Sequence, residues 1–134
     1  MKILVIDGDD VGLDFCLRSK WNGHRVKLFK FPGKFTKTGE GLIDIVQDWR
    51  EWMDWADLIF MTDNSHYMRE LDKYFERGYP IFGTNMKSAR LETDRMFGME
   101  VMEKCGIDVP VYKQFSDFGS AIEYVLKDPK KRLS

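Results

Sequence analysis

The 134 residues, 43% of them hydrophobic, suit one compact domain or one domain with the opening of a second. With 21 Lys and Arg against 22 Asp and Glu, the formal net charge is −1, which disfavours a general nucleic-acid binder or a protein drawn to an anionic membrane. No apolar run approaches the roughly 18 residues that span a bilayer, and the opening Met-Lys-Ile-Leu-Val-Ile-Asp enters a strand pattern without a cleavable hydrophobic region, so a cytoplasmic chain is expected.

Residues 2–6 form a β-branched apolar run ending at Asp7-Gly8, the pattern of a central strand buried on both faces. Residues 11–21 carry Leu13, Phe15, Cys16, Leu17 and Trp21 at a roughly helical period, and Asn22-Gly23 stops the helix. A strand over 25–29 completes a βαβ unit, whose crossover makes the two strands parallel neighbours. The fold class is therefore α/β. Residues 30–41 mix Pro, Gly, Lys and Thr and predict a mobile surface loop. Leu42, Ile45, Val46, Trp49, Trp52, Met53 and Trp55 recur at helical spacing and predict a helix over 42–55, its tryptophans packed on a sheet or offered to a partner.

A buried strand follows over 57–61, then the polar tip Thr62-Asp63-Asn64-Ser65, a helix over 67–77 closed by Gly78, and a fourth strand over 80–82. Beyond it the pattern predicts a helix over 92–105, a short strand over 111–115 and a helix over 117–126 with Ser116 as N-cap. The architecture expected is an open, parallel, doubly wound, Rossmann-like sheet of four strands flanked by helices. Ligands of such sheets sit beyond the carboxyl ends of the strands, where strand order reverses. The candidate loops are residues 7–12, 31–41, 62–66 and 83–87.

In the first loop, Gly8 and Gly12 would let backbone amides approach a ligand at a helix N-terminus. Asp7, Asp9 and Asp10 would repel a phosphate unless a cation intervenes, and the three spaced glycines of a dinucleotide fingerprint are missing. The acid cluster also resembles that of response-regulator receiver domains, although Thr62 stands where their phospho-accepting aspartate would be and Asp63 is displaced by one. Lys113-Gln114-Phe115 stands where such domains tend to have Lys-Pro-Phe. His66, beside Asp63 and Asn64 at a strand tip, is a site candidate, whereas His24 reads as an exposed turn residue. No nucleophile elbow is present. Cys16 and Cys105 read as reduced core thiols within helices.

The stretch from Phe82 to Asp117 resembles glycinamide ribonucleotide synthetase (phosphoribosylamine–glycine ligase). In that family a strand runs into Phe-Gly-Pro, a short helix, Leu-Glu-x-x-Lys, a helix ending Met-x-x-x-Gly-Ile-Pro, and Tyr-x-x-Phe. Phe82-Gly83, Ala89, Leu91-Glu92, Phe97, Met102, Gly106-Ile107, Tyr112 and Phe115 fall in place. The opening strand and the run at 56–60 fit the same framework.

The resemblance implies a pre-ATP-grasp domain over residues 1–90 and the beginning of an ATP-grasp domain, truncated, over 91–134. It implies a substrate-side portion of an ATP-dependent carboxylate–amine ligase of purine biosynthesis, with Gly8, Asp9, Asp10, Gly12, Asp63, Asn64, His66, Gly83 and Thr84 toward substrate. Arg95 stands where relatives place a Lys or Arg on nucleotide phosphate, and its guanidinium fork suits phosphate oxygens. The Thr-Asp-Arg here looks like the Arg variant of carbamoyl-phosphate synthetases.

In such ligases a carboxylate attacks the γ-phosphate of ATP and an amine captures the acyl phosphate, with Mg²⁺ screening the phosphates. The partners implied are a phosphoribosylamine-like amine or a carboxylate and the remaining ATP-grasp domain in cis or trans. ATP and Mg²⁺ belong to the full-length protein. No catalytic residue or metal ligand is identified in this chain, which is expected to hold neither cofactor tightly and to lack ligase activity alone.

Two departures stand out. The family's Gly-Gly-Arg-Glu-His loop is here Asp9-Asp10-Val11-Gly12-Leu13, and its Gly-Pro-Glu-x-Pro-Leu is here Thr62 to Tyr67. Phosphoribosylamine itself is thereby put in doubt. The alternative is a receiver-like module or a non-catalytic module that binds a metabolite or partner.

Overall fold

The structure, a computed structural model, describes residues 1–33, 37–64 and 66–127. Residues 34–36 of the expected loop and Ser65 of the expected polar tip lie outside the described residues. Five strands form one parallel sheet: β1 (Lys2–Asp7), β2 (Arg25–Lys30), β3 (Asp44–Val46), β4 (Leu58–Met61) and β5 (Ile81–Phe82), in the order β3-β2-β1-β4-β5. β1 is central, with Ile3 opposite Val26 on one side and Leu58 on the other.

Both faces of the sheet are covered, which explains the unbroken apolar run of β1. On one face Leu4, Ile6, Phe29, Ile59 and Met61 pack with Met68 and Leu71 of α2 (Met68–Glu76) and Ala89 of α3 (Met86–Thr93). On the other face Ile3, Val5, Val26 and Leu28 pack with Cys16 of α1 (Leu13–Trp21). Leu13, Phe15 and Leu17 of α1 border that second cluster. Alternate residues of each strand thus feed opposite layers.

The segment 42–55 is not a helix. Ile45 and Val46 pair in parallel with Leu28 and Phe29 as the edge strand β3, and only Trp49–Trp52 turns helically, as a 3-10 turn. The β-branched residues find a free strand edge at β2, and Asp48 halts the extension by accepting the Arg50 N–H. Trp49 and Met53 still reach the core, so the apolar spacing was real while the element carrying it was not a helix. The sheet accordingly has five strands rather than four.

The helix expected over 92–105 is found as α4 (Arg95–Lys104), while residues 92 and 93 close the separate helix α3. Asp94 breaks them with an extended backbone (φ −113°, ψ 91°) and accepts the Phe97 N–H at 3.0 Å, starting a new helix. A side chain at Gly98 would lie 2.3 Å from the Leu91 carbonyl oxygen, so the break depends on a glycine there.

By its internal contacts the chain divides into two compact units, Met1–Gly98 and Met99–Ser134. In the second, residues 111–115 form no strand. Helix α5 (Phe118–Lys127) is capped by Asp117, whose Oδ1 accepts the Ser120 N–H at 2.8 Å, rather than by Ser116. Cys16 is buried as expected, but Cys105 falls just past α4 and is exposed. Among the described residues no helix is long and apolar enough to cross a membrane.

A candidate ligand crevice at the strand tips

Strand order reverses at β1, because the chain builds outward through β2 and β3 on one side and through β4 and β5 on the other. The crevice of such a sheet lies outside the carboxyl ends of the strands at this switch point. Here those ends are the loops after Asp7 and Met61.

Asp7 ends β1 and is 1% exposed. Its Oδ1 accepts the Asp9 and Val11 N–H groups at 3.3 and 3.2 Å and the Thr62 hydroxyl at 2.7 Å, and its Oδ2 accepts the Gly12 N–H at 2.8 Å. A buried carboxylate is tolerated when its lone pairs are filled in this way. Asp7 is therefore the organiser of the β1–α1 turn, not a member of an open acidic cluster. Sequence reasoning grouped it with Asp9 and Asp10; the available signal was an aspartate ending a buried strand just before a turn, where its side chain can fold back onto the following amides. Burial, and after it the Asp7 charge, pushes the Cys16 thiol up to about 12.

Gly8 and Gly12 are sites of close approach. A Cβ on Gly8 would lie 2.1 Å from Asp63 Oδ2 and 2.6 Å from His66 Nδ1; one on Gly12 would lie 2.9 Å from Thr62 Cγ2 and 3.0 Å from Asp7 Oδ2. Both glycines let the first turn nest against the tip of β4. Asp63 Oδ1 accepts the His66 N–H at 2.8 Å and lies 3.3 Å from His66 Nδ1, and the imidazole rests on Phe31 with ring centroids 4.2 Å apart. Asn64 donates to the Glu92 carboxylate.

Asp10 has a left-handed φ of 60° and pairs with Lys30 at the tip of β2, while Asp9 is exposed. Thr84 joins Thr62, Asp63, Asn64, Met61 and Glu92 around a polar cleft of about 260 Å³. Beside it a cleft of about 640 Å³ is walled by Gly12, Thr62, Gly83 and a series of phenyl rings, Phe15 on Phe60 at 4.3 Å and Phe60 on Phe82 at 5.7 Å.

The fold thus brings Gly8 against Asp63 and His66, and Gly12, Asp63, Asn64, Gly83 and Thr84 line the clefts, whereas Asp9 and Asp10 line neither. Arg95, at the first position of α4, is exposed and lines neither cleft. Among the described residues no group of three or more His, Cys, Asp and Glu is placed to hold a metal ion.

No protein-family model matches the chain. It is 30% identical over 110 residues to the phosphoribosylamine–glycine ligase of Streptococcus pneumoniae R6, covering 75% of this chain and 26% of that one. To the phosphoribosylamine–glycine ligase of Fusobacterium nucleatum it is 37% identical over 57 residues, 42% of this chain and 13% of the relative. The chain spans about a quarter or less of these relatives. In fold it is similar to N5-carboxyaminoimidazole ribonucleotide synthetase from Thermotoga maritima, with a TM-score of 0.69 and 24% identity over 92% of this chain and 36% of that chain. By sequence, the chain is similar to an N-terminal portion of the phosphoribosylamine–glycine ligases, and its all-parallel, helix-flanked sheet has the fold of the N-terminal domain of an ATP-grasp enzyme.

Proposed function

We propose that this chain is the substrate-side portion of an ATP-dependent carboxylate–amine ligase of the purine-biosynthesis type. The observation that carries this reading is the 110-residue match to a phosphoribosylamine–glycine ligase, in a chain whose two strand-tip loops frame a crevice at the switch point. In this reading residues 1–90 are the pre-ATP-grasp domain and residues 91–134 begin the ATP-grasp domain. Gly8, Asp9, Asp10, Gly12, Asp63, Asn64, His66, Gly83 and Thr84 surround a small amine or carboxylate.

Arg95, exposed and permanently charged, meets a nucleotide phosphate that the rest of the ATP-grasp domain holds in cis or trans. ATP and Mg²⁺ supply the phosphoryl chemistry there. The chain alone is inactive, and its setting is the cytoplasm.

A receiver-like role is weakened by topology. Receiver domains follow the strand order 2-1-3-4-5, with the second strand at the edge, whereas here β3 lies outside β2. Asp63 is also engaged with the His66 N–H.

The test is a two-dimensional amide NMR titration of the chain with glycine and with small primary amines, beside an assay of ADP formation with MgATP. The expected result is saturable perturbation of the amides of residues 8–12, 62–66 and 83–84 with no ADP above background. Absence of any such perturbation would sink the substrate-side assignment, and turnover by the chain alone would overturn its inactivity.

A further inference from the structure

Lys30 ends β2, in register with Asp7 at the end of β1. Its side chain is only 7% exposed, and its ammonium lies 3.0 Å from Asp10 Oδ1 and donates to the Thr38 carbonyl oxygen at 3.0 Å. A buried cation at a strand tip of a doubly wound sheet is well placed to receive an anionic group of a ligand. In this chain the anion comes from the protein. Asp10 has a side chain 12% exposed, sits at φ 60°, and leaves Oδ2 buried with no hydrogen-bond partner among the described residues. Left-handed backbone at a non-glycine residue and an unpaired buried carboxylate oxygen both oppose folding. The ion pair with Lys30 is the interaction that offsets them.

We propose that Asp10 is a built-in counter-anion, occupying on Lys30 the place that a ligand phosphate would take and so restricting the crevice to amines that carry no phosphate. Asp9 and Asp63 in the loops after β1 and β4 add negative charge, which repels a phosphate and attracts a protonated amine. This deepens the ligase reading above by naming the substrate class, and it rests on the crevice being that protein's small-molecule site.

The experiment compares ribose 5-phosphate and inorganic phosphate as ligands for the full chain, followed by amide NMR, in the wild type, Asp10→Asn and the double variant Asp10→Asn with Lys30→Met. Asparagine tolerates the left-handed backbone and removes the charge. Asp10→Gly, also compatible with φ 60°, serves if the first variant does not fold.

Wild type is expected to show no saturable shift up to about 10 mM ribose 5-phosphate, and Asp10→Asn to bind it about tenfold or more tighter, with the gain lost in the double variant. A response to inorganic phosphate alone identifies the phosphate as the group received. Wild type binding ribose 5-phosphate as tightly as the folded Asp10 variants overturns the proposal, as does a folded variant that gains nothing. If the gain appears but the wild type binds no amine, the counter-anion stands and the ligase reading fails.

Discussion

The Thr62 hydroxyl donates to Asp7 Oδ1 at 2.7 Å, joining the tip of β4 to the tip of β1 across 55 residues of sequence. Because the same carboxylate also accepts three backbone N–H groups of the β1–α1 turn, the two loops that frame the crevice share one buried acceptor. Asp7→Ala strands those donors and is expected to cost about 2–4 kcal/mol, whereas Thr62→Val removes one hydrogen bond for about 1 kcal/mol. Urea unfolding measures both. Equal losses would show that the turn does not depend on Asp7.

Gly8→Ala tests how tightly the loops nest. The new methyl would overlap Asp63 Oδ2 and His66 Nδ1, so the side chains must move, at an expected cost of about 1–3 kcal/mol. The imidazole resonances of His66 should shift with it. Unchanged resonances and unchanged stability would mean that the close approach is not maintained in solution.

Arg50 joins the 3-10 turn to α2, with Nε 2.6 Å from one Glu70 oxygen and Nη2 2.5 Å from the other, while Nη1 donates to Asp48 at 2.8 Å. Hydrogen bonds from Arg50 hold the Glu70 carboxyl below its ordinary range. A depressed folded-state value makes this contribution fully present above the ordinary carboxylate range and lost as pH falls through the depressed value. Since the groups are partly exposed, Glu70→Gln should cost no more than about 1 kcal/mol at pH 7. The difference from wild type should vanish in acid. A difference that stays constant from neutral pH into acid would assign the effect to packing.

The two thiols should separate by reactivity. Cys16 is buried and its pKa is pushed up to about 12, so almost no thiolate forms at neutral pH, while Cys105 is exposed. A thiol reagent should modify Cys105 quickly in the native chain and Cys16 only after denaturant is added. Rapid native labelling of Cys16, located by peptide mass, would contradict its burial.

Much of the fold was legible because its strands announce themselves locally. The run at 2–6 and the run at 57–61 are apolar and β-branched or aromatic, and each ends in polar turn residues, so strand identity followed from a few neighbouring side chains. The segment 42–55 was not legible in that way. Ile45 and Val46 become a strand only because β2 offers them an edge, which no local pattern reports. The helix expected over 92–105 begins only at Arg95, because Asp94 serves as a cap and not as a helix-interior residue.

The site divides along the same line. By itself, the sequence determined the parallel α/β class, the loops at the strand tips, and the resemblance to phosphoribosylamine–glycine ligases, through colinear residues from Phe82 to Phe115. Only the tertiary structure decided what the acids do: Asp7 turns inward to its own amides and Asp10 pairs with Lys30, while Asp63 holds His66. Three aspartates are equivalent as letters in a chain. They become a hinge pin, a counter-anion and a clasp only when distant groups arrive within hydrogen-bonding reach, because the energy of a buried charge is set by what stands a few ångströms away in space.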